Sequence, residues 1–540
     1  MKGPFRQSMT WLHTWSSLIL IWLLFAVFVT GTLSFYRTEI THWMQPEGHI
    51  ANKVDTATAT NSAWNRLALL APWGKSWSIS LPSERNPKTG VSWIAEGEAE
   101  QRRRGPRALL DASNGEVLVL RETAGGNFLY DFHFELYAMP RDVGRAIVGV
   151  ASMLMLVAII SGVIMHRKIF SDFFTFRPRK RTVSWIDGHV IGSVLALPFH
   201  IMITFSGLVL LSSTLLFWNS NPGTQNGGRP TTVAASQFEH VNPSTHTRPA
   251  VVRPDLAGIL ADAELLFDGP VASLNIQQPM TANARIQVTN ATRDSLFGGR
   301  TGRQLTYDLN GNRQKDANLG ETAVQSMASS LATAVFIVLK VTHEARFADV
   351  LTRMLFFIAG ILGSAMVATG AVLWVVKRTR KQAGSVGYEL VSMLNLAAIA
   401  GLMVAIGSYF WANRLLPADM ESRDLWEIRV LFLTWLLTLL HAYLARKQHG
   451  WFIQLSLAAT LFICIPILDG LTSPVGLWAG LVAHDWPRIG FDLIALITGF
   501  GLLMSAFWVR QHTLKRIKNG KGGTHHNNSR APIATGASTV

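Results

Sequence analysis

The chain has 540 residues, 49% of them hydrophobic and 15% charged, with a formal net charge of +15. Several apolar runs are too long and too free of charge for a soluble core, because about 20 residues at a 1.5 Å rise cross a ~30 Å hydrocarbon layer, so the chain reads as an α-helical integral membrane protein whose first partner is the lipid bilayer. The positive charge sits in short loops beside apolar runs, where it reports orientation and not a nucleic-acid partner, and the single cysteine, Cys464, excludes an intrachain disulfide and any thiolate-held zinc or iron–sulfur site.

In chain order, eight spans are expected at 12–35, 144–166, 190–217, 352–376, 391–412, 428–445, 451–469 and 489–510. Residues 1–35 hold the first span, read as a retained anchor because its apolar stretch exceeds a signal-peptide core. Residues 36–140 form a first insertion, 141–217 the second and third spans with a basic loop, 218–350 a second insertion with a linker, and 351–380 the fourth span. A four-helix membrane module at 388–512 and a disordered tail at 513–540 complete the chain.

Arg167, Lys168, Arg177, Arg179, Lys180 and Arg181 in one short connection, Lys377, Arg378, Arg380 and Lys381 in another, and Arg446 and Lys447 in a third place these loops and both termini in the cytoplasm. The setting expected is a bacterial inner membrane, with both insertions periplasmic. Alternating stretches such as Trp77 to Leu81 and Leu305 to Leu309, the latter followed by Asn310-Gly311, predict strands and hairpins, so each insertion is expected to be a small α+β domain. The segment Leu110 to Leu118, with Asn114-Gly115 at its centre, predicts a further hairpin. Trp64, Trp73, Trp77 and Trp93 with Arg102, Arg103, Arg104 and Arg107 offer a docking surface for an aromatic or anionic ligand, or else an aromatic belt and a solvated basic loop.

An internal repeat organises the first four spans. His13 stands eighteen residues before Gly31 of Thr30-Gly31, and His189 eighteen before Gly207 of Ser206-Gly207; His133 precedes Ser161-Gly162, and His343 precedes Thr369-Gly370, at similar distances. The unit is helix, external domain, helix, occurring twice in one orientation, which implies a pseudo-two-fold axis along the membrane normal. Six histidines lie at or near helix ends of this unit: His13, His133, His166, His189, His200 and His343. His189 and His200 are eleven apart, within about 20° of one face and about 16 Å apart along a helix, which suits two stacked haem b groups held by imidazoles from separate helices. The repeat pairs His13 with His189 and His133 with His343. His166 and His200, whose counterparts are Trp374 and Leu24, are either alternative ligands or neighbours of the haem. His441 and His484 are weaker candidates, and His240, His246, His449, His512, His525 and His526 belong to surface or linker. No nucleotide-binding glycine motif, Walker-type loop or H-E-x-x-H motif is present. Electrons for such haems then come from a quinol or from a separate electron-donor protein.

Met9-Thr10-Trp11-Leu12-His13-Thr14-Trp15 with the run to Thr30-Gly31, Phe132-His133-Phe134-Glu135-Leu136 leading through Gly144-Arg145 to Ser161-Gly162, and the Asp111 to Leu118 turn together resemble the PepSY-associated transmembrane proteins over residues 1 to about 380. That family includes the PiuB iron-regulated membrane proteins and FoxB-type siderophore reductases. The resemblance implies two periplasmic PepSY-like domains and a di-haem reductase that passes electrons to ferric siderophore and releases ferrous iron. It implies His13, His133, His189 and His343 as the haem-iron ligands, with His166 and His200 following less directly. Two other functions are open to such a chain: a permease or assembly factor for siderophore or peptide, and a PepSY-type peptidase inhibitor or chaperone. The last four helices lie outside the minimal four-span pattern.

Overall fold

A computed structural model describes residues 3–49, 54–95, 107–166, 181–215, 253–291, 304–314, 331–445 and 449–522. Most of the basic loop at 167–180, Arg102 to Arg104, Arg446, Lys447, most of the expected linker and the end of the tail lie outside them. Seven helices are long and apolar enough to cross a membrane: Pro4–Ser34, Arg141–Met165, Val350–Gln382, Val386–Leu415, Arg423–Leu444, Gly450–Thr472 and Trp486–Gln511. The pair Val183–Leu195 and Leu197–Ser212, bent by 68°, brings the number to eight when taken as one broken span. The bend falls where Pro198, which has no N–H for the preceding turn, enters the apolar run. The last helix continues to Gly522, so the tail expected to be disordered from 513 is helical over its first ten residues.

The two insertions, expected as two domains, are two halves of one sheet. Strands β1 (Gly74–Ser80), β2 (Thr89–Ala95) and β3 (Arg107–Leu110) come from the first insertion, and β4 (Val271–Gln277), β5 (Arg285–Asn290) and β6 (Gln304–Tyr307) from the second. Their order is β3-β2-β1-β4-β5-β6, antiparallel throughout, and β1 pairs with β4 through Trp77 opposite Ile276 and Ile79 opposite Leu274. The helices Thr56–Leu70 and Leu256–Phe267 pack against each other and onto the sheet, and each starts at an aspartate that accepts from a backbone N–H of the first turn: Asp55 from Thr58 and Asp255 from Gly258. Two antiparallel strands whose helices share one face are related by a two-fold axis normal to the sheet, so the duplication continues into this layer. Gly115 and Gly311 close the equivalent hairpins at φ of +72° and +79°, a region that side chains disfavour.

Neither expected role holds for three of the four tryptophans, Trp73 being half-buried. Trp64, Trp77 and Trp93 are buried in the sheet core with Leu67, Ile79, Ile276 and Val288, so they serve packing and not docking or a membrane belt. An alternating strand buries every second residue, and Trp77 and Ile79 are such a pair.

The four C-terminal helices are fastened to the first half by buried charge. Asp469 accepts from Arg414 and Arg488, both at 2.6 Å, and all three side chains are fully buried. Arg414 also donates to the Trp43 carbonyl and lies 4.0 Å over the Trp43 ring, while Trp43 Nε1 donates to Asp492 at 2.9 Å. Glu427 accepts from Arg423, Asn413, Thr123 Oγ1 and the Ala124 N–H. His42 Nε2 meets Asp485 at 2.9 Å, and Lys88 reaches Gln45 at 3.1 Å from the sheet layer. Burial pushes the Lys88 pKa down to about 8 against the opposing pull of Glu47 and Asp485.

Two outcomes follow. Asp469→Ala leaves two guanidiniums buried without their carboxylate and is expected to cost roughly 3–5 kcal/mol, read as a lower unfolding temperature in detergent. Lys88 in the folded chain releases its proton near 8 but in the unfolded chain near 10.5. Between these values the unfolded state binds more protons, so stability gains with rising pH. The wild type is expected to gain up to about 3 kcal/mol relative to Lys88→Met across that window, and equal pH profiles for the two would contradict it.

Candidate functional site: four imidazoles seated on glycine

Four glycines of the Ser/Thr-Gly dipeptides each carry one imidazole. A Cβ on Gly31 would stand 2.5 Å from Cε1 of His133, on Gly162 3.1 Å from that of His13, on Gly207 3.1 Å from that of His343, and on Gly370 3.2 Å from that of His189. The Cε1–Nδ1 edge of each ring lies against bare helix backbone, where any side chain would push it away. Their Nδ1 atoms are then within reach of carbonyls one turn earlier. His13 Nδ1 meets Ala158 O at 2.8 Å, His133 meets Val27 O at 2.8 Å, and His189 meets Met366 O at 3.0 Å. Each of these carbonyls is four residues before the seating glycine. His343 Nδ1 meets Ser206 Oγ at 2.8 Å beside the Ile203 backbone. Ser206 Oγ also lies 2.6 Å from Met202 O, an acceptor for its proton.

A carbonyl oxygen can only accept, so His13, His133 and His189 carry their proton on Nδ1 and keep a lone pair on Nε2, and His343 matches them when the Ser206 proton goes to Met202 O. Among the described residues none of these Nε2 atoms has a hydrogen-bond partner. The rings then face one another in two pairs. His13 and His189 have centroids 6.4 Å apart with planes at 70°, and His133 and His343 6.2 Å apart at 37°. Two imidazoles that bind one metal from opposite sides, each at about 2 Å, hold their ring centres about 6 Å apart, and metal-bound histidines characteristically donate the other N–H to a carbonyl. Both pairs have this separation, so the donor set fits a haem that would be held between two histidines.

Each pair lines its own cavity. The outer one, at the end bearing the sheet, has a volume of about 380 Å³ and is lined by His133, His343, Gly31 and Gly207 with Arg37, Arg85, Arg145, Lys340, Arg346 and Arg353. Some of this charge is balanced locally: Arg85 pairs with Glu39 at 2.6 Å and Arg145 with Glu135 at 2.5 Å, while Arg37 lies 4.5 Å over the Tyr130 ring. The inner one, of about 230 Å³, is lined by His13, His189, Gly162 and Gly370 with Lys377 and Arg378. His13 and Gly31 are eighteen residues apart on the first span, roughly 27 Å, which sets one pair toward each face of the hydrocarbon layer.

His166 and His200 both line the inner cavity, where His200 meets the rings of Phe28 and Phe199. Of the weaker candidates, His441 is engaged with Gln454 at 3.1 Å, and His484 packs against Trp486. Among the described residues no cluster of three or more His, Cys, Asp or Glu side chains suits a bare metal ion. Sequence reasoning found the histidines but missed the function of the glycines. The Ser/Thr-Gly dipeptides served there only as markers of the repeat, although a small residue recurring at each position was the available signal.

The arrangement defines a duplicated, multi-pass helical membrane protein with two transmembrane-stacked imidazole pairs. Residues 10–377 match the family described as the PepSY-associated TM region, and the chain belongs to that family. No curated protein matches the chain. The family match covers both imidazole pairs and both halves of the repeat, and ends where the C-terminal helices begin.

Proposed function

We propose that this protein is a di-haem b reductase of a bacterial inner membrane, moving electrons from a quinol or a separate donor protein to a ferric siderophore at the sheet-bearing, periplasmic face. The observation that carries the reading is the repeated geometry of His13 with His189 and His133 with His343, each pair with ring centroids just over 6 Å apart and Nδ1 tied back to the helix. Bound at these pairs, haem supplies one-electron chemistry at each side of the hydrocarbon layer.

The chain's own residues do the rest. The four carbonyl and hydroxyl acceptors fix ring orientation and tautomer before any ligand arrives, so little ordering is left for binding. Leu24, Met155 and Phe28 keep the space between the cavities apolar, which excludes water from the route. At the outer cavity Arg37, Arg353 and Lys340 contribute a positive field that draws anionic chelates of iron, such as those built on carboxylates. The basic residues of the inner loops support the cytoplasmic assignment of both termini.

The test is the purified protein. It is expected to bind two haem b per chain, to show bis-histidine bands in its reduced-minus-oxidised spectrum, and, once reduced without oxygen, to be reoxidised by a ferric siderophore while a ferrous-specific chelator traps the product. His189→Ala and Gly31→Ala are each expected to lower the haem content to about one, the first by removing a ligand and the second by displacing His133 from its seat. A preparation with no haem bands would end the reading, and haem without reoxidation by the chelate would end its substrate half.

A further inference from the structure

His200 is fully buried, and neither ring nitrogen meets a partner of hydrogen-bonding geometry among the described residues, although the Ala359 and Ser193 backbones lie near enough to act on it. A neutral imidazole always has one N–H and one lone pair, and leaving both unpaired in an apolar interior is unfavourable. Such a group calls for an explanation. His200 lines the inner cavity and meets Phe28 edge-on, with centroids 6.2 Å apart and planes at 85°. Phe28 lines the outer cavity, so this contact is part of the wall between the two.

The repeat shows that the wall differs between the halves. The offset that carries His13 onto His189 carries Leu24 onto His200 and Trp22 onto Pro198. The offset that carries Gly162 onto Gly370 carries Met155 onto Gly363. In the first half, Leu24 and Met155 fill the wall with apolar side chains that line both cavities. In the second, an imidazole stands against a glycine, where a Cβ would come 3.1 Å from His200 Nε2 and 2.5 Å from the Phe28 ring. The 68° bend near Pro198 delivers the imidazole to that place. Room, approach and polar group have all changed together on one side of the pseudo-axis.

We propose that His200 is a positioning residue of the inner site, its N–H directed at the group held by His13 and His189, and that it makes the two sites of this duplicated protein electronically unequal. The proposal rests on the di-haem reading. A donor N–H beside a redox centre favours the electron-rich state and raises its potential, and the matching leucine of the other half offers no such dipole. With His200 in place, the inner site accepts an electron from a milder donor than an apolar wall would allow.

The test is a spectroelectrochemical titration of the full-length, haem-loaded protein and of His200→Leu, which installs the side chain of the other half. The variant is expected to keep two haems and bis-histidine bands, while one of the two one-electron steps becomes about tenfold less favourable, 59 mV for one electron, and the other stays put. His200→Gln, which retains an N–H donor, is expected to stay near the wild type. Gly363→Ala keeps His200 but crowds it, and is expected to move the same step, which serves if leucine prevents folding. Loss of one haem in both His200 variants would make His200 an axial ligand and overturn the proposal. Unmoved steps in His200→Leu, or in Gly363→Ala where leucine prevents folding, would overturn it as well, leaving the ring a packing element while the di-haem reading stood. A wild type without haem would sink both.

Discussion

The structure depends on one local constraint: an imidazole can present Nε2 to a partner only if its Nδ1 proton is satisfied and nothing intervenes between ring and helix. Glycine supplies the second condition and the carbonyl four residues earlier the first, and both come from the same turn of the same helix. This explains the close approach of the spans. His13 of the first span rests on Gly162 of the second, and His133 rests back on Gly31 of the first; His189 and His343 repeat this with Gly370 and Gly207. Seating is therefore always within a half, and pairing is always between halves. The candidate site exists only where the two halves meet.

The sheet obeys the same division. Each insertion brings three strands and a covering helix, and the halves join at β1 and β4, on the pseudo-axis that also runs between the imidazole pairs. Trp77, Ile79, Leu274 and Ile276 are fully buried at this seam, so separating the halves would expose a large apolar area. A three-stranded half would also leave a central strand as an unpaired edge. The seam holds the halves in register above the membrane, and that register keeps the outer imidazoles at pairing distance.

The membrane spans were legible because chain length through hydrocarbon is a one-dimensional property, and the histidine pairs because duplication prints equivalent positions at equal spacing. Strands β1 and β6 and the two Asn-Gly turns, at Asn114-Gly115 and Asn310-Gly311, were legible for the same local reason: alternation and φ preference are written in consecutive residues. The joining of two insertions into one sheet was not, because the Trp77–Ile276 pairing links positions about two hundred residues apart and neither strand alone specifies its neighbour. The tryptophans were misassigned because alternation shows which residues share a face of a strand, not whether another element covers that face. Burial of Asp469 between two arginines was equally hidden, since an aspartate near a helix end reads as interfacial until its partners at 414 and 488 are brought to it.

Those buried charges also bear on the inequality of the halves. The C-terminal helices grip the first insertion: Tyr409 donates to Gly125 O, Arg423 to Glu122 O, and Glu427 receives Thr123 and Ala124, all at the start of the Gly125–Glu135 helix that presents His133. They make no hydrogen bond to the Leu331–His343 helix among the described residues. Opening the first clamp would break the bonds that Glu122, Thr123, Ala124 and Gly125 make to Arg423, Glu427 and Tyr409, whereas His343 moves at the cost of one serine hydrogen bond and its packing. Local stability follows such differences in buried contacts. The outer pair thus combines a braced imidazole with a more yielding one, and adjustment to whatever enters the outer cavity falls to the second half, the half whose inner wall has also been altered at His200 and Gly363.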